Sequence, residues 1–264
     1  MTTTHTGVAW ALVFFCASLS SEAAAPLFPK AFHVVREIND SLTGRVTRVD
    51  EYYAGDQVIT ISGDRTAIAD YAKQELTEID RGKGTCSIAT FAQLAAAVPA
   101  QTAKRAAALP RVERRGQDRR AGRNVEVIAA DDAGNSLHAE VAVDHSIVLS
   151  KDAFEVVAGA AFPRNGGAAA DLLRGAAQNP RSRMATESTA SGDTYAMPIE
   201  QTLRWTVQGE SVEVTTRVIT LDDQQPAPQL IVIPAGARRI EAKAIEAKRI
   251  AADSDSLVPA RTDH

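Results

Sequence analysis

The chain has 264 residues, 45% of them hydrophobic, with 29 Lys and Arg set against 33 Asp and Glu. A formal net charge of −4 argues against a generally basic nucleic-acid binder. Aromatic residues make up only 5% of the chain and are scattered, which argues against a base-stacking platform.

The N-terminus reads as a secretory signal. Val8 to Leu19 is an apolar run followed by the small-residue stretch SSEAAAP. A transmembrane helix needs about 20 apolar residues, so this run is too short to span, and its small-x-small flank suits cleavage. Ser21 and Ala23 place the cut after Ala23. Cys16 follows Phe14 and Phe15, bulky neighbours that suit a lipidated cysteine badly, so it is expected to leave with the signal. Removing residues 1–23 takes away Glu22 and no Lys or Arg, which moves the net charge from −4 to −3. Cys86 is then the only cysteine, no internal disulfide is possible, and the fold rests on its apolar core. The expected product is a periplasmic or secreted protein that does not span the membrane.

From Gly44 to Phe91 the chain reads as a meander of short strands. GRVTRVDEYY, QVITIS, TAIADYA, ELTEID and TCSIATF are β-rich runs separated by Gly and Asp turn signals. The period changes at Thr90, where Phe91, Leu94, Ala95 and Val98 are spaced like one helix face and Thr90 is a suitable cap. Residues 104–123 carry eight Lys and Arg against Glu113 and Asp118, and read as a solvated helix end and an Arg-rich exposed loop. An anionic-lipid or nucleic-acid patch is the functional alternative there, and no interleaved aromatic residue supports it. NVEVIAADDAGNSLHAEVAVDHSIVL reads as a hairpin turning at DDAGN. SKDAFEVVAGAAF reads as a helix capped by Ser150, and a second short helix follows it. Residues 179–193 form a polar loop. MPIEQTLRWTV and ESVEVTTRVITL make a long hairpin, QLIVIPAGARRIEA reads as a further apolar strand, and residues 251–264 as a disordered tail. Residues 24–250 are expected to form one domain.

Several of these stretches, taken in order, resemble the LolA-like group of exported proteins, the lipoprotein carrier and its relatives. The motifs are Tyr53–Ala54–Gly55–Asp56, Ile79–Asp80, Thr90–Phe91, Pro198 and Pro234–Ala235–Gly236. The resemblance covers residues 44–95 and 193–242; the Arg-rich and Ala/Gly-rich middle departs from it. It implies an α+β fold, a curved antiparallel β-sheet or half-barrel with helices packed on the concave face. It also implies a hydrophobic ligand, a lipid or lipidated cargo, held between sheet and helices. Tyr53, Ile59, Ile61, Phe91, Leu94 and Trp205 are the residues expected to line that groove. A module that binds an envelope protein partner, with no small-molecule ligand, is the alternative. No cofactor is expected.

The catalytic candidates point elsewhere. Free Cys packs as a small hydrophobe, and Cys86 lies in an alternating strand-like run, so a packed sheet position is favoured over a nucleophile. Asp144, His145 and Ser146 are adjacent, but neighbours on a strand point to opposite faces, and there is no G-x-S-x-G elbow. No H-x₃-H, C-x₂-C or HExxH spacing is present, and Asp131–Asp132 reads as a turn pair. A non-enzymatic binding protein is the reading that remains.

Overall fold

The computed structural model describes residues 25–97, 111–132, 137–161, 194–207 and 209–241. The expected signal at 1–23, the polar loop at 179–193, the second short helix and the tail at 251–264 lie outside the described residues. The strands are β1 (Phe28–Asp40), β2 (Arg45–Gly55), β3 (Gln57–Ser62), β4 (Arg65–Asp70), β5 (Glu75–Asp80) and β6 (Thr85–Thr90), then α1 (Phe91–Ala97). β7 (Arg111–Arg120), β8 (Arg123–Asp132) and β9 (Leu137–Ser150) follow, then α2 (Lys151–Ala161), β10 (Thr194–Val207) and β11 (Glu210–Asp222). The described chain ends with α3 (Pro228–Ile231) and β12 (Arg238–Arg239).

These strands form one open sheet in the order β12-β6-β5-β4-β3-β2-β1-β11-β10-β9-β8-β7. Every pairing is antiparallel except β12 on β6. β12 and β7 are the two edges, and the sheet does not close. The expected meander from Gly44 to Phe91 is present, strand by strand. Its first two turns are tight: Ala54 pairs with Gln57 and Ser62 with Arg65, leaving Gly55–Asp56 and Gly63–Asp64 as two-residue loops. Gly55 and Gly63 have φ of +58° and +55°, the left-handed values that such hairpin loops require and that glycine adopts without a Cβ clash.

Both expected helix caps are made. Gln93 N donates to Thr90 Oγ1 at 3.2 Å while Thr90 N donates back to Gln93 Oε1 at 2.8 Å, a reciprocal capping box. Ala153 N donates to Ser150 Oγ at 3.2 Å. α2 packs on β9 and β10, where Phe154 stacks on Tyr195 with ring centroids 4.8 Å apart. α3 packs on the opposite face, beside Ile59, Ile61 and Ile68. Few helices cover this sheet among the described residues: α1 and α2 contribute to the larger apolar cluster and α3 to the smaller one.

Three sequence readings need correction. The meander expected from the sequence starts at Gly44, with no element assigned to residues 24–43, yet β1 is a central strand between β2 and β11. His33, Val34, Val35 and Arg36 are consecutive and all buried, because both faces are covered there, so the alternation expected of a half-exposed strand is missing. The Arg-rich loop within 104–123 is, from Arg111 onward, the edge strand β7 and the start of β8; residues 104–110 lie outside the described residues. The arginines are accommodated because strands β8 to β10 supply carboxylates across the ladder, with Arg114 Nη1 2.5 Å from Glu126 and Arg115 Nη1 2.7 Å from Glu140. Arg120 pairs with Glu200 in the same lattice. Finally, QLIVIPAGARRIEA forms α3, a turn and β12 rather than one apolar strand. Pro234–Ala235–Gly236 makes that turn, with Ala237 N donating to Pro234 O at 3.0 Å. It delivers Arg238 N to Gly84 O and Ile240 N to Cys86 O, each at 2.8 Å, and so covers the edge of β6.

Candidate functional site

Alternation along the strands divides the expected groove residues between two clusters. Tyr53 pairs with Val58 and Tyr52 with Ile59, so successive residues of β2 and β3 face opposite sides of the sheet. Tyr53 and Phe91 are buried in the larger cluster, and Leu94 and Trp205 pack against it. Ile59 and Ile61 belong to the smaller cluster on the other face, with Tyr52 and α3. The fold therefore does not bring all six to one place.

The larger cluster contains a buried ionic network. Arg36 Nε donates to Glu51 Oε2 at 2.6 Å, and Tyr53 Oη donates to the same oxygen at 2.8 Å. Arg36 and Glu51 are each 1% exposed and Tyr53 is 0% exposed. Burial works to lower the Arg36 guanidinium, but the Glu51 carboxylate outweighs it and raises it above its ordinary value. Burial first, and then the Glu51 charge, pushes the Tyr53 phenol well above its ordinary value. Arg36 Nη2, Glu51 Oε1, Thr60 Oγ1 and both amide atoms of Gln201 are buried without a protein hydrogen-bond partner.

The catalytic candidates are dispersed into structural roles. Cys86 is buried, opposite Ile79 on β5. Asp144 accepts from Ser146 N and from Arg123 Nη1, both at 2.8 Å, while His145 Nε2 meets Glu126 instead, also at 2.8 Å. The three neighbours form no relay. His138 meets Asp131 at 2.6 Å. His33 is held between Asp222 at 2.8 Å and Asp50 at 3.3 Å, and stacks on Tyr52 with ring centroids 4.3 Å apart. Among the described residues, no three His, Cys, Asp or Glu side chains group so as to hold a metal, and no helix is long and apolar enough to cross a membrane.

A cleft of about 1130 Å³ opens at one end of the sheet. The entry segment to β1, the turns after β2 and β4, the end of β9, the first turns of α2 and the end of β11 all converge there. Leu27, Phe28, Phe32, Ile147, Leu149 and Val156 make much of its apolar wall. Asp56 ties the walls together: its Oδ1 accepts from Leu27 N at 2.9 Å, and its carbonyl accepts from Tyr71 N at 2.8 Å. None of the six residues expected to line a groove lines this cleft; Tyr53 and Ile59 instead line a smaller pocket of about 180 Å³. The cleft's wall depends on β1, to which no element is assigned from the sequence, and on strand ends far apart in sequence.

No family model and no curated protein sequence matches the chain. Among solved structures, it is similar to an uncharacterized conserved protein from Thermus thermophilus, with TM-score 0.42 and 7% identity over 81% of this chain and 94% of that one. It is also similar to the MucA/MucB complex structure from Pseudomonas aeruginosa, with TM-score 0.34 and 13% identity over 80% of this chain and 58% of that one. A third is a domain described as a putative outer membrane lipoprotein-sorting protein from Vibrio parahaemolyticus, with TM-score 0.26 and 8% identity over 73% and 84% of the two chains. At such scores and identities these likenesses assign neither a family nor an activity.

Proposed function

We propose that this is an exported, non-enzymatic binding protein that holds a hydrophobic ligand in the cleft between the start of β1, the end of β9 and α2. The observation that carries the reading is the cleft itself. Its volume of about 1130 Å³ is just above the range found for small-molecule sites, roughly 300–1,000 Å³. Burying about ten methylenes of an acyl chain against such a wall would contribute about 8 kcal/mol before the costs of association. No charged anchor is required for that gain, which the Leu, Ile, Val and Phe part of the wall can supply.

The test is uptake of a fluorescent acyl-chain probe by the purified protein, together with native mass spectrometry after gentle extraction from the envelope. The expected result is a saturable increase in probe fluorescence, weakened by Val148→Asn, a substitution at an exposed position of the cleft wall. No uptake, together with an empty protein in the mass spectrum, would sink the reading.

A protein-interaction module is the second reading, and its support is that β7 is an edge of the sheet. That edge is poorly suited to adding a strand, because the register shifts between Arg114 and Gly116 and its arginines pair with carboxylates of the same sheet. Cross-linking with and without neutralised Arg114, Arg115, Arg119 and Arg120 tests it: loss of a cross-linked partner supports it, and an unchanged pattern removes it.

A further inference from the structure

The cleft's apolar wall is paired with an acidic lining, and that combination selects a ligand class. Asp56, Asp152, Glu155, Asp222 and Asp223 line it, against Lys30 and Arg123, a formal balance of −3. Arg123 is already committed, with Nη1 2.8 Å from the buried Asp144, which is not part of the lining. The Asp222 carboxyl lies below its ordinary range, held there by the Gln224 backbone N–H and by His33, so it stays ionised at neutral pH. Phe32, half-buried, shares the lining with these acids, backed by the buried Phe28 and Tyr71. Aromatic faces and carboxylates together attract an organic cation: the ring quadrupole and the anionic charge act in the same direction, and neither requires the strong hydrogen bonds of a hydrated anion site.

We propose that the cleft prefers an amphiphile with a cationic head, a long-chain amine or quaternary ammonium, over a fatty-acid carboxylate. This rests on the hydrophobic-ligand reading above and adds the sign of the head group. A carboxylate entering the cleft would meet like charge, and its chain burial would be offset by repulsion and desolvation. A cation would place its chain on the Leu, Ile and Val wall and its head among the acids.

The experiment measures binding of dodecyltrimethylammonium, dodecanol and dodecanoate, each below its micelle-forming concentration, by displacement of a neutral fluorescent probe at low and at high salt. The expected order is cation, then alcohol, then carboxylate, with about a tenfold gap between the charged pair at low salt that narrows as salt is added. Asp152→Asn combined with Asp223→Asn, both at exposed positions, should shrink that gap about threefold, each affinity being read relative to dodecanol binding by the same variant. Carboxylate binding as tight as cation binding at low salt overturns the head-group inference while the hydrophobic cleft stands. Binding of none of the three removes both. Binding of a basic apolar peptide alone, with no amphiphile bound, also overturns the proposal.

Discussion

Replacing Glu51 by Gln tests the energetics of the larger cluster most directly. The substitution keeps the shape of the side chain and removes the only charge hydrogen-bonded to Arg36 Nε, at a site where both partners are 1% exposed. The Arg36 cation is then left in the core facing a neutral amide, and breaking one side of a buried pair costs about 3–5 kcal/mol. For a protein of this size that corresponds to a fall in Tm of about 10 °C. Removing both charges at once, as Arg36→Met with Glu51→Leu, should cost far less and can even stabilise. The native pair bears its desolvation while leaving Arg36 Nη2 and Glu51 Oε1 without partners. The assay is chemical and thermal unfolding of Glu51→Gln, and of Arg36→Met, Glu51→Leu and their combination read as a double-mutant cycle. A Glu51→Gln protein within about 1 kcal/mol of wild type, or a double variant as unstable as the sum of the singles, would refute the reasoning.

Gln201→Leu should raise stability by about 1–3 kcal/mol, because the side chain is buried and neither amide atom has a protein partner; unfolding midpoints check it. Thr90→Ala should cost about 0.5–2 kcal/mol through loss of the α1 cap, again read from the unfolding midpoint. Cys86 should react with a thiol reagent only as the protein opens, so labelling in the native state should be slow and should speed up with denaturant. Acid should destabilise the fold through Asp144. Burial works to raise its carboxyl, but the hydrogen bonds from Ser146 and Arg123 outweigh burial and hold it below the ordinary range. A depressed folded value means the stabilisation is present above the unfolded pKa, about 3.9, and is lost as pH falls through the folded value. Asp144→Asn should therefore lower stability at neutral pH and flatten the loss between about pH 4 and lower pH, measured by urea midpoints across that range.

Much of the sheet was legible because the signals there are local. Val58, Thr60, Ile59 and Ile61 alternate within β3, and Gly55 and Gly63 mark the two-residue turns on either side of it. Thr90 and Ser150 announce their helices because a cap is a contact within three residues. β1 was passed over, since Lys30 and Arg36 interrupt the alternating face of Phe28, Phe32, Val34 and Ile38. His33 and Arg36 are tolerable in a buried strand only because Asp222, Asp50 and Glu51 arrive from β11 and β2. In the basic segment the backbone was misread and the exposure was not: Arg114 and Arg115 are exposed as expected, but they sit on an edge strand whose partners Glu126 and Glu140 come from across the ladder.

By itself, then, the sequence determined the antiparallel meander from Gly44 to Phe91, the two helix starts and the final hairpin of β10 and β11, all elements whose hydrogen bonds close within a short span of chain. Only the tertiary structure decided that β1 joins that meander to β11, that Tyr53 and Ile59 face opposite sides, and that β12 returns to the edge of β6. It also decided where the cleft lies, because its wall joins residues near 27, 71, 147 and 222. Charge pairing and cavity shape depend on which strands become neighbours, and neighbours that far apart in sequence leave no periodic trace along the chain.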